Sequence, residues 1–103
     1  MWAQLITTRL KAGAEGDTSK LLEQLRAVEQ PDSGWIRTSA MIDQNDPGRL
    51  IVLVVFESEE KARAREGDPR REAGLDEARA TMAAMFETPP EFTDLTVVGE
   101  VTP

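Results

Sequence analysis

The 103-residue chain has no cysteine, no histidine and no tyrosine. Without cysteine there is no disulfide, thiol nucleophile, zinc–thiolate centre or iron–sulfur cluster. Without histidine the chain lacks the usual general base, the commonest transition-metal ligand and the usual haem ligand, and a Ser-His-Asp triad is impossible. Without tyrosine there is no phenol to shuttle protons. Basic residues are also short, 12 against 19 acids, for a net charge of −7 and a pI near 4.6. Nine of the twelve are arginines scattered from Arg9 to Arg79. They form no basic face, which argues against nucleic acid and against an anionic membrane surface. No apolar run reaches the length of a membrane span. The opening MWAQLITTRLK has neither the basic start nor the small-residue cleavage site of a signal peptide, so the expected location is the cytoplasm. The length points to one domain over residues 1–103.

The pattern of what is present predicts alternating strands and helices. Trp2–Leu10 carries β-branched Ile6, Thr7 and Thr8 and reads as a strand ended by Lys11-Ala-Gly13. After a Gly13–Gly16 loop, Asp17 or Thr18 can cap a helix to about Glu29, with Leu21, Leu22, Leu25 and Val28 on one stripe and Pro31 beyond it. Trp35–Ile42 is a second strand, and Asp43–Gly48 is dense in turn formers. Leu50–Phe56 is the strongest strand and is apolar on both faces, so both faces need cover. Ser58 can cap the next helix, and Gly67-Asp-Pro69 breaks it and restarts it. The continuation places Leu75, Ala78, Met82, Met85 and Phe86 on one face and stops before Pro89-Pro90. Phe92–Val101 alternates as a last strand.

This β-α-β-β-α-β order predicts an α+β, ferredoxin-like fold: a four-stranded antiparallel sheet with its helices on one face and the second helix broken near Gly67–Pro69. One helical layer covers one face. A second copy of the sheet is the expected cover for the other, giving a symmetric homodimer.

The charged run Glu57–Arg79 reads mainly as a solvated helix surface with weak pairs such as Glu59–Arg63. Its functional alternative is an anion site drawn from Arg63, Arg65, Arg70 and Arg71, with Arg70 and Arg71 singled out because they adjoin the Asp68-Pro69 restart. The acids match no EF-hand spacing and the glycines no phosphate-binding loop, so no metal and no nucleotide is expected. The large apolar side chains Trp2, Trp35, Met41, Phe56, Met82, Met85, Phe86 and Phe92 are core material, and a core with a vacancy is a pocket. The candidate pocket residues are Trp35, Phe56, Met82, Met85 and Phe86, with Arg37, Arg65 and Arg70 as cations able to point into it. Strand parity places Trp35 and Arg37 on the same face.

Trp35-Ile-Arg-Thr-Ser-Ala-Met41, Asn45-Asp-Pro-Gly-Arg49, Leu50–Phe56 with Glu57-Ser-Glu-Glu60, and Gly67-Asp-Pro69 together resemble the antibiotic biosynthesis monooxygenase domain family over essentially the whole chain. The resemblance implies a dimeric α+β barrel with a pocket between sheet and helices in each subunit. Some members oxygenate aromatic polyketide-type molecules with dioxygen and no metal or flavin, and others degrade haem. The haem-degrading histidine would fall near Gly74 and the accompanying tryptophan near Ala64, while the only asparagine, Asn45, lies in the hairpin. The resemblance therefore points away from haem. It leaves two expectations: a cofactor-free oxygenase acting on an aromatic small molecule, or a non-catalytic dimeric domain that binds a hydrophobic metabolite or serves structure alone.

Overall fold

The computed structural model describes residues Met1–Pro103. Strands β1 (Trp2–Arg9), β2 (Trp35–Asp43), β3 (Asp46–Phe56) and β4 (Glu91–Thr96) form one antiparallel sheet in the order β2-β3-β1-β4. Helices α1 (Thr18–Ala27), α2 (Glu59–Glu66), α3 (Pro69–Glu72) and α4 (Asp76–Met85) complete the chain. This is the ferredoxin-like α+β arrangement that the pattern predicts. No helix is long and apolar enough to cross a membrane.

The apolar strand β3 is internal, paired with β1 on one side and β2 on the other. Its even-numbered residues face the helices. Leu50 joins Leu10, Leu21, Leu75, Ala78 and Met85 in one buried cluster, while Val54 and Phe56 join Trp2 and Ala62 in a second. Val52 packs against both clusters. The core is thus divided along the sheet rather than continuous.

Four local features differ from the expected elements. The last strand, expected over Phe92–Val101, ends at Thr96. No side chain caps α1. A single 3-10 turn at Ala14–Asp17 runs directly into it, and the Thr18 hydroxyl donates to the Glu15 carbonyl at 2.9 Å. The hairpin tightens to a tip at Gln44–Asn45, with Asp46–Gly48 already in β3. Pro47 is tolerated there because the β2–β3 register shifts at Ile42/Asp43 and no β2 residue stands opposite it. The second helix breaks twice. Asp68 caps α3 by accepting from the Arg70 N–H at 2.9 Å with Pro69 in the first turn, and a further turn follows at Gly74. A Cβ at Gly74 would meet Val28 Cγ1 at 2.5 Å, so only glycine lets this turn close on the end of α1. Ser58 caps α2 as expected, accepting from the Lys61 N–H at 3.2 Å.

Candidate functional site

The gap between the two core clusters is a cavity of about 590 Å³ under the helices. Its floor is the helix-facing side of the sheet: Gln4 and Ile6 of β1, Thr38 and Ala40 of β2, and Val52 and Val54 of β3. Thr38 and Ala40 are short where neighbouring positions are long, which leaves room above them. The roof is Leu21, Leu22 and Leu25 of α1 with Met82 of α4, and Phe86 just beyond it. The stripe read as core packing for α1 therefore does two jobs: Leu21 is buried, while Leu22 and Leu25 are only half-buried and edge the cavity. Its exposed lining residues are Glu23 and Arg26 of α1, Phe92 of β4 (59% exposed) and Glu66 at the end of α2, so it opens between α1 and β4 and beside Glu66. The size and the apolar lining with few polar groups suit a small molecule.

The polar groups gather at one end. Arg65 donates through Nε to Glu29 Oε1 at 2.6 Å, and its Nη2 lies 2.5 Å from the same oxygen. The pair is nearly dry, with the side chains 14% and 7% exposed. The Arg65 guanidinium also stacks 5.1 Å from the Phe56 ring centre. The second oxygen of Glu29, Oε2, is buried without a partner, as is Nε of Arg71. Burial pushes the Arg71 guanidinium below its ordinary pKa, and the neighbouring Arg65 charge adds to the effect. Elsewhere on the lining the polar groups are engaged: Trp35 Nε1 donates to Thr38 Oγ1 at 2.8 Å, and Gln4 Nε2 donates to Asp94 at 3.2 Å.

Of the residues singled out from sequence, Trp35, Phe56, Arg65, Arg71, Met82, Phe86 and Phe92 line this cavity. Met85 does not; it is fully buried in the cluster beneath. Arg70 lies outside, where its guanidinium is held by Asp68 at 2.7 Å and Asp32 at 3.0 Å. Arg37 is on the opposite face of the sheet. The register shifts between Trp35, which pairs with Phe56, and Arg37, which pairs with the adjacent Val55. The bulge at Ile36 thus reverses the parity that would have put Trp35 and Arg37 together. Arg37 instead meets Glu100 of the C-terminal segment at 3.8 Å. No group of acidic side chains is arranged to hold a metal ion.

No protein-family model matches the chain, and no curated protein matches it in sequence. Solved structures do. SnoaB, a cofactor-independent oxygenase from Streptomyces nogalater, superposes with a TM-score of 0.75 at 12% identity, covering 99% of this chain and 97% of that one. A protein from Bordetella bronchiseptica, provisionally named an antibiotic biosynthesis monooxygenase, gives 0.74 at 20% identity, covering 94% and 96%. The protein NE2512 of unknown function from Nitrosomonas europaea gives 0.69 at 20% identity, covering 99% and 93%. The chain has the fold of the antibiotic biosynthesis monooxygenases. At these identities the likeness is one of architecture.

Of this polar site, Arg65 and Arg71 belong to the arginine group that the sequence offers as an anion site, and Glu29 does not. Glu29 follows the end of α1 and looks in sequence like a frayed, solvated terminus. Arg71 sits beside Arg70 in a four-residue helix, too short for periodicity to show which of the two turns inward. The one signal available was the density of arginine after the helix break.

Proposed function

We propose that the protein binds a flat, largely apolar aromatic molecule in the cavity beneath α1 and α4, and oxygenates it with dioxygen without metal or flavin. The observation that carries this proposal is a cavity of about 590 Å³, apolar except at one end, in the fold shared with a cofactor-independent oxygenase. Such chemistry asks little of the protein. A deprotonated anthrone or similar electron-rich ring reacts with dioxygen once it is held away from water. The substrate methylene becomes a carbonyl, a four-electron oxidation. Dioxygen accepts the four electrons, leaving one oxygen atom in the product and the other as water, so no external reductant is required. The cavity would orient the ring, exclude water and stabilise negative charge at its arginine end.

The second element of the proposal is a homodimer formed through the sheet face away from the helices. Met41 and Leu95 are exposed there beside the half-buried Leu5, Ile51 and Leu53 of the two internal strands. A mass of two 11.4-kDa chains by light scattering at micromolar concentration is expected, and a mass of one would remove this element.

Oxygen-electrode measurements with anthrone and a hydroquinone panel test the activity. Uptake above the rate in free solution, suppressed when the cavity floor is filled by Ala40→Phe, is the expected result. Uptake no faster than in buffer would leave a binding protein without catalysis.

A further inference from the structure

The charges at the arginine end of the cavity do not all pair with one another. Glu29 answers Arg65, and Glu66 on the rim is taken by Arg63 at 3.1 Å. Arg26 is on the exposed rim, its guanidinium 3.9 Å from Glu23. Arg71 lines the cavity and has no ion pair and no hydrogen-bond partner, and its Nε is sealed from solvent. Arg71 is thus a half-buried cation on the cavity lining that no side chain of the chain pairs, inside a protein whose net charge is −7. The sealed Nε is left without an acceptor, a cost that an anionic ligand at this end would offset. Glu29 Oε1 is committed to Arg65, and neither Glu29 nor Glu72 forms an ion pair with Arg71.

We infer that the cavity's ligand is an anion: an aromatic or polycyclic molecule with one negatively charged oxygen group, carboxylate or phenolate, which docks on Arg71 while its ring system lies along Ile6, Val52, Val54 and Met82. A planar guanidinium presents paired donors that match a carboxylate, or a phenolate with an adjacent carbonyl. The apolar walls reject a doubly charged ligand, because only one cation is free to meet it. In this arrangement Glu29 and Arg65 are positioning residues: they hold one another and leave Arg71 as the docking group. The inference rests on the proposed occupancy of the cavity by an aromatic molecule and specifies its charge.

Fluorescence titration with 9-anthroic acid and with its neutral analogue anthracene-9-methanol tests both levels separately. The expected result is that the acid binds at least about tenfold more tightly than the alcohol, a preference that Arg71→Met abolishes and Arg71→Lys retains in part. Arg49→Gln, in the β2–β3 hairpin where Arg49 meets Asp43, should leave it unchanged. A second arm uses 2-hydroxyanthraquinone, whose phenolate absorbs at longer wavelength: binding should lower its apparent pKa with the native chain and not with Arg71→Met. Equal affinity for acid and alcohol, or a preference that survives Arg71→Met, overturns the anion assignment while leaving the cavity as an aromatic site. Binding of neither probe overturns both. Should Arg71→Met fail to fold, the comparison of acid with alcohol on the native chain still decides the matter.

Discussion

The two faces of the sheet are made from the same strands and behave differently. Leu50 and Leu53 lie three residues apart on β3, yet Leu50 is buried under α1 and α4 while Leu53 is half-buried on the far side. On the covered face the helices do not fill the space; they leave a cavity with an ion pair and a free arginine at its end. On the open face Leu5, Ile51 and Leu53 are half-buried, while Ala3 and Val55, beside Arg37 and its contact with Glu100, are buried within the chain. A strand that is apolar on both sides thus predicts two burials, and this chain supplies the first itself and the second only in part, at Val55. The covered face carries the proposed ligand site, and the open face the proposed contact with a second copy.

The largest expected effect is on the covered face. Glu29→Ala leaves Arg65 beside Arg71 with neither compensated, and should cost about 3–5 kcal/mol in denaturant unfolding. A cost below about 1 kcal/mol would show that water already solvates the pair. Leu50→Ala should follow at about 2–5 kcal/mol, independent of protein concentration. Leu53→Ala sharpens the contrast: the loss should appear as weaker association, so that the melting temperature of the native chain rises with concentration and that of the variant rises less. Equal, concentration-independent losses at Leu50 and Leu53 would break the distinction between the faces. Ser58→Ala removes the cap of α2, the helix that carries Arg65, and should cost about 1 kcal/mol.

The smallest effect is electrostatic and tests how α2 is tied to β4. Arg63 donates to Asp94 at 2.6 Å, holding the Asp94 carboxyl below its ordinary pKa. A folded-state pKa below the unfolded one means that the contribution is fully present above about pH 4 and fades as the pH falls through the lowered value. Acid titration of stability should therefore be slightly flatter below pH 4 in Asp94→Asn than in the native chain. Parallel curves would mean that the exposed pair contributes nothing.

Element order, the central apolar strand and the break at Gly67–Pro69 were legible because each follows from local chemistry: periodicity, β-branched runs, and a cap followed by proline. The side-chain geometry of the site was less so. The bulge at Ile36 has no signature in Trp35-Ile-Arg37, and one inserted residue moved Arg37 to the other face. A buried pair such as Glu29–Arg65 is written in the same letters as a surface pair such as Glu59–Arg63; only the fold distinguishes them. The second break at Gly74 depends on contact with Val28, 46 positions earlier in the chain, which no local pattern carries. The aromatic and methionine residues were better guides, because a helix-spaced apolar stripe becomes a cavity wall wherever the opposing side chains, here Thr38 and Ala40, are short.

Native mass spectrometry of the chain in the presence of 9-anthroic acid tests the division of labour between the faces in one measurement. The account predicts a dimer carrying two ligands, one in each subunit, with the dimer persisting when the ligand is removed. A monomer, or a dimer with a single ligand shared between its subunits, would contradict it.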